Sequence, residues 1–186
     1  MSVREDGPSI APTLLVSMPQ MLDPNFAKTV VLLCEHGRQG AFGLVLNRPT
    51  QTSAAQAVHL APPPSIDSGI TLFTGGPVDP QRGWILMARE PEEAQFVQIV
   101  DGLFLTSSQS VLRQLIERGE PRARILTGYA GWAPGQLDAE LSASAWLTVE
   151  VDPDLIFNTP ATSMWEATIR RLGADPALLQ MGHGVH

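Results

Sequence analysis

The segment DPNFAKTVVLLCEHGRQGAFGLVLNRP constrains this chain more than any other. It holds two apolar runs rich in β-forming residues, Thr29 to Glu35 and Ala41 to Leu46, with a short polar stretch carrying Gly37 and Gly40 between them. Runs so close together pair only by turning straight back, and glycine supplies the backbone angles that a tight turn requires. The spacing therefore predicts a β-hairpin and, with it, an antiparallel sheet. Pro49 closes the segment and forces Arg48 to be extended, because its ring crowds the residue before it.

On either side of this hairpin the pattern extends the sheet and then turns helical. Residues 1–12 are rich in Gly, Pro, Ser and charge and read as a flexible leader, after which TLLVSM is a first strand. Consecutive prolines in LAPPPSIDSG lack the N–H groups that a sheet or helix interior needs, so this stretch is a surface loop. TLFTGGPV, GWILMA, FVQIV and LFLTS predict short strands joined by tight turns as a meander. Ser108 begins a helix with Val111, Leu112, Leu115 and Ile116 on one face, and Gly119 ends it in the left-handed conformation. RARILTGYA and AWLTVEV return to strand. NTPATSMWEATIRRLG predicts a helix starting at Thr159 and Pro160 and finishing at Gly173, and Asp175 with Pro176 starts a last helical turn before a frayed tail at 183–186. Strands precede helices without βαβ alternation or internal repeat. The expected fold is α+β: one domain over residues 13–182, with a mainly antiparallel, curved sheet.

Charge and cysteine content narrow the function classes. A net charge of −7 opposes both the counterion release that drives nucleic-acid binding and adhesion to anionic lipid. The single cysteine, Cys34, leaves no intrachain disulfide and suits a reducing compartment. No basic, apolar signal segment opens the chain, and no run approaches the roughly 20 apolar residues that span a bilayer. A soluble cytoplasmic protein is expected, without membrane attachment.

Several residues invite chemistry. Cys34 and His36, two apart on a strand, share a face with Cα atoms about 6.5–7 Å apart, so pairing thiol with imidazole needs a bulge or strong side-chain bending. The competing reading makes Cys34 a small buried apolar residue beside Val30 and Leu32. Gly75 and Gly76 in GGPV form either an anion-cradling turn or simply a tight one, without the lysine and hydroxyl of a P-loop. Asn47 and Arg48 end a strand; Arg48 either grips a carboxylate or phosphate with its forked donors or is an exposed or ion-paired strand end. Arg113, Arg118, Arg122 and Arg124 alternate with Glu117 and Glu120 and read as a solvated face. His183 and His186 stand in the tail without nearby ligand partners, so no metal site is expected. No hydrolase or metalloprotease motif appears.

The stretch GYAGWAPGQLDAEL is a strand-to-helix junction. Gly128, Gly131 and Gly135 permit angles and close approaches that side chains would block, and Pro134 suits the first turn of a helix. In that helix Leu137 and Leu141 share one side, while Asp138 and Glu140 lie near the positive end of the dipole. Tyr129 and Trp132 either roof the core or, for Trp132 together with Gln136, line a shallow polar cleft with Arg48.

Taken in order, LLVSMPQMLDPNF, VVLLCEH, GAFGLVLNRP, GGPV, GYAGWAPGQLDAEL, AWLTVEVD and MWEATIRRLG resemble the signature blocks of the bacterial AlgH/YqgE family, from about Thr13 to Gly182. The resemblance implies an α+β pseudo-barrel, its sheet split and curled, with helices packed around it. The AlgH name implies a regulatory role in transcription of alginate genes, and no catalytic residues carry over. Two departures are Gly131, where many relatives have a small residue such as serine, and the terminal GHGVH.

These readings converge on a non-enzymatic binding or regulatory protein, acting on transcription only indirectly, whose partner is an unknown protein or small molecule. Its site is assembled from Asn47, Arg48, Gly75, Gly76, Tyr129, Trp132, Gln136 and Glu140, with no cofactor and no metal. The alternative is a cryptic enzyme or redox-responsive protein using Cys34 and His36.

Overall fold

The computed structural model describes residues 9–92 and 94–181, so most of the expected leader and the tail histidines His183 and His186 lie outside the described residues. In chain order the elements are β1 (Thr13–Ser17), β2 (Val30–Gly37), β3 (Gly40–Val45), β4 (Pro49–Ser53), α1 (Ala54–Ala57), β5 (Thr71–Thr74), β6 (Val78–Met87), β7 (Val97–Val100), β8 (Leu103–Thr106), α2 (Gln109–Arg118), β9 (Ala123–Trp132), α3 (Gln136–Ser142), β10 (Trp146–Val149), α4 (Pro153–Asn158), α5 (Ala161–Arg170) and α6 (Pro176–Met181). No helix among the described residues is long and apolar enough to cross a membrane.

The predicted hairpin is β2 with β3. Its register runs from Val31 opposite Val45 to Gly37 opposite Gly40, leaving Arg38 and Gln39 as a two-residue turn. β1 and then β10 add antiparallel on the far side of β2. On the near side β9 joins β3, and here the sheet splits. The end of β9, Ala130 to Trp132, pairs with β3, whereas its middle, Ile125 to Thr127, pairs in parallel with β5 on that same flank. The other flank of β9 carries β6. Every pairing but β5 with β9 is antiparallel, giving the expected α+β fold with a split, curled sheet and flanking helices.

The middle strands are not a simple meander. β8 lies beside β6, with Leu86 opposite Leu105, and β7 lies outside β8 as an edge. The segment after Met87, interrupted by Pro91, carries the chain past the position beside β6, and Gly102 at φ +78° turns it back. β8 takes the inner place because its Leu103 and Leu105 are the side chains that reach the core, while Val97 of β7 stays in solvent.

Two helices and a strand were not anticipated. β4 pairs with β5, and Ser53 caps α1 by accepting the N–H of Gln56. Asp152 caps α4 with Pro153 in its first turn, so Thr159 closes α4 instead of opening α5, which follows Pro160. Pro134 also lies outside its helix: Gly135, left-handed at φ 77° and ψ −10°, is the N-cap of α3.

Three apolar clusters hold the fold. The first joins one sheet face, including Leu32, Leu44 and Leu126, to Ile156 of α4 and Trp165 of α5. The second joins the opposite face of β1 to β3, through Leu33 and Val45, to Trp132, Trp146 and Leu137 of α3. The third packs Ile85 and Ile125 against Val111, Leu115 and Ile116 of α2. Arg124 departs from its reading as a solvated residue. It is only 8% exposed, donates to the carbonyls of Leu46 at 2.7 Å and Ile156 at 2.8 Å, and stacks 4.5 Å from the Phe73 ring centroid.

Candidate functional site

A surface loop must find partners for its backbone carbonyls, and the loop of residues 23–28 finds them in LNRP. Asp23 starts the turn: its Oδ1 accepts the N–H of Asn25 at 2.9 Å and its carbonyl accepts those of Phe26 and Ala27. Asn47 Nδ2 then donates to Lys28 O at 2.9 Å while Asn47 Oδ1 accepts from Val30 N at 3.0 Å. Arg48 Nη2 donates to Ala27 O at 2.6 Å and to Pro24 O at 3.3 Å. Asn47 and Arg48 therefore clamp the DPNF loop.

The clamped loop also reaches the indoles. Phe26 stacks on Trp132, with ring centroids 6.2 Å apart and an interplanar angle of 26°, and meets Trp146 edge-on at 5.8 Å. Trp132 is 6% exposed and belongs to the second cluster, so it roofs the core. Gln136 Oε1 accepts the N–H of Ala133 at 3.0 Å and closes the turn into α3. Glu140 Oε1 accepts Trp146 Nε1 at 3.4 Å, and Tyr129 packs with Phe42 and Trp84 on the opposite sheet face. Arg48 and the buried Trp132 thus do not border a common cleft with Gln136: the Arg48 pocket includes neither, and Phe26 stacks on Trp132. What links Arg48 to Trp132 is the DPNF loop, which sequence reasoning left out of the site. Its signal was an aromatic side chain inside an Asp-Pro-Asn turn.

Arg48 lines a different hollow. A pocket of about 300 Å³ is walled by Pro24, Asn25, Val45, Arg48, Pro49, Thr74, Gly76 and Pro77, uniting the DPNF, LNRP and GGPV loops. Thr74 N donates to Arg48 O at 2.8 Å, Val45 N to Gly75 O at 2.7 Å and Gly75 N to Thr127 O at 2.7 Å. The two glycines of GGPV are an interlock and not an open cradle. A Cβ on Gly75 would stand 2.5 Å from Gly128 O, one on Gly76 2.1 Å from the Tyr129 carbonyl carbon, and one on Gly128 2.3 Å from Gly76 O. The need for Gly128 is also one of direction. Before it, Leu126 faces the first cluster; after it, at φ +75°, Tyr129 takes that face and Ala130 and Trp132 the second.

The half-buried Arg48 has no carboxylate partner among the described residues, whereas Arg171, which lines another pocket, is paired with Asp152 at 2.8 Å. Arg89, Arg113, Arg122 and Arg170 also lie against carboxylates.

Cys34 and His36 do not share a face. β2 bulges between Leu33 and Glu35, so Glu35 stands opposite Phe42 and His36 opposite Ala41. Cys34 packs with Phe42 against the first cluster, while Ala41 packs against the second. His36, 5% exposed in its side chain, accepts the N–H of Ile10 on Nδ1 at 3.1 Å and so donates from Nε2 to Asp138 at 3.0 Å. Burial, with a smaller contribution from the Glu35 charge, pushes the Cys34 thiol up to about 12. No thiolate–imidazole pair forms.

A family model described as AlgH-like matches residues 14–177. The chain belongs to the AlgH-like family. Its AlgH-like relatives include a UPF0301 protein of Myxococcus xanthus, 38% identical over 184 residues that cover 96% of this chain and 99% of the relative. A UPF0301 protein of Ralstonia nicotianae is 41% identical over 177 residues, covering 91% and 92%. The solution structure of the AlgH protein from Pseudomonas aeruginosa aligns with a TM-score of 0.71 at 36% identity, covering 100% of this chain and 99% of that one. A crystal structure from Corynebacterium diphtheriae, at 22% identity and TM-score 0.72 over 94% of this chain and 93% of that one, shares the AlgH-like fold.

Proposed function

We propose that this AlgH-like protein is a non-enzymatic cytoplasmic binding protein that takes a carboxylate-bearing group of a partner protein or small molecule in the pocket at Arg48. The observation that carries this reading is a half-buried guanidinium on a pocket wall with no ion pair among the described residues. Nη2 is occupied by loop carbonyls, which fixes the plane of the group and leaves single N–H donors on Nε and Nη1, either of which can meet a carboxylate oxygen. Pro24, Pro49 and Pro77 make stiff walls without competing N–H groups, and Asn25 and Thr74 supply polar side chains. Regulation is exerted through this binding and not through DNA contact, which the net charge of −7 opposes.

Calorimetry tests the reading with a short peptide ending in a free carboxylate and its amidated counterpart. The free acid binds and the amide does not, and Arg48→Lys, which keeps the charge but loses the planar donors held in place by the loop, weakens binding about tenfold. Equal binding of acid and amide overturns it.

A further inference from the structure

A second hollow lies apart from the Arg48 pocket, in a groove of about 570 Å³ between residues 18–22, the turn from α3 to β10, and α6. Met18, Met21, Leu22, Ala145, Leu178 and Leu179 line it, and no lining residue carries a charge. Its frame is fixed by Met18 N donating to Ala145 O at 2.9 Å and by Gln20 Nε2 donating to Leu179 O at 3.4 Å. Leu22 is 89% exposed and Leu178 65% exposed, so two leucines stand in water at the rim of an apolar floor.

The surroundings of the groove are acidic. Asp23 follows Leu22 directly. Asp175 begins the turn that presents Leu178 and Leu179, its carbonyl accepting their N–H groups at 3.0 and 3.1 Å, and Glu140 O accepts the N–H of Ala145 at 2.9 Å. Asp23 and Asp175 are exposed and form no ion pair among the described residues, whereas the Glu140 carboxylate is turned inward, with Oε1 accepting from Trp146 and Oε2 buried. Nearby bases are engaged elsewhere: Arg170 with Glu166, Arg171 with Asp152, and Lys28 5.8 Å from the Trp165 ring centroid.

We propose that this groove receives the apolar stripe of an amphipathic helix, flanked by Lys and Arg, from another protein. Leucine side chains spaced one helical turn apart fill an apolar floor, flexible methionines adapt to their shape, and basic flanks meet the exposed Asp23 and Asp175. A second copy of this chain is the wrong occupant on charge, since each copy carries −7. The proposal does not depend on what binds at Arg48.

The test uses the full chain and fluorescein-labelled model peptides about five helical turns long, leucine on one face and either lysine or glutamate on the other. Binding is read by anisotropy for the wild type and for Leu22→Ser with Leu178→Ser, a variant that leaves charge unchanged and alters only exposed side chains. The lysine peptide binds the wild type, the glutamate peptide does not, and the variant weakens lysine-peptide binding about tenfold while keeping its urea midpoint. Unchanged affinity in the variant overturns the proposal, because attraction would then be to net charge alone. A wild-type dimer in sedimentation that the variant dissolves also overturns it, by making a second copy the occupant.

Discussion

Cys34 and His36, two residues apart in sequence, face opposite sides of β2 because the strand bulges between Leu33 and Glu35. The thiol is therefore expected to be inert. In native protein at mildly alkaline pH, alkylation of the half-buried Cys34 is slow because the thiol stays protonated, and it becomes rapid in denaturant. Burial also links this group to stability. The folded thiol keeps its proton up to about 12 where the unfolded one releases it near 9.0, so its contribution is complete below pH 9.0 and lost as pH rises toward 12. Urea unfolding of wild type and Cys34→Ala, followed from neutral pH to about 11, should show the wild type losing this advantage as pH rises.

Gly76 and Gly128 lock two backbones together, and neither has room for a Cβ. Gly76→Ala or Gly128→Ala must displace β9 or the GGPV turn, and each is expected to cost about 3 kcal/mol or more. Gly131 is the control: the nearest atom to its added Cβ is 3.6 Å away, so Gly131→Ala should lie within about 0.5 kcal/mol of wild type. That space also accommodates a serine side chain. Urea midpoints of the three variants give the comparison.

Arg124 satisfies the carbonyls of Leu46 and Ile156 from within the core. Burial lowers its pKa to about 10, so it remains charged at neutral pH. Arg124→Leu leaves both carbonyls unpaired and should destabilise the protein by about 2–4 kcal/mol. Arg124→Lys should recover only part of that loss, since one ammonium cannot reproduce the fork that reaches both oxygens.

The elements that were legible in the sequence are those whose signal is local. Gly37 and Gly40 marked the hairpin, Ser108 and Gly119 bounded α2, and the β-forming runs TLLVS and AWLTVEV located strands β1 and β10. What escaped depends on a break in alternation or on a distant partner. The bulge at Cys34 and the reversal at Gly128 each shift side chains to the other face without altering composition, so period-two reasoning placed His36 on the same face as Cys34, whereas the reading of Trp132 as a roof over the core holds. Arg124 looked solvated because its neighbours in sequence are charged, while the carbonyls that hold it lie in a loop and a helix far along the chain. Asn47 and Arg48 were picked out as a site, but their first task, clamping the DPNF loop, becomes visible only once that loop is folded beside them.

The central claim is that Arg48 presents a guanidinium without an ion pair, through its Nε–H or Nη1–H, to a carboxylate in the hollow shared by three loops. Titration of isotopically labelled protein with a peptide ending in a free carboxylate, followed by NMR at the Arg48 Nε–H and the amides of Thr74 and Gly76, tests it most directly. These signals should move together with the free acid, leaving Leu22 and Leu178 unmoved and giving no response to the amidated peptide. Silence at Arg48 Nε–H, or the same shifts with the amide, contradicts the account.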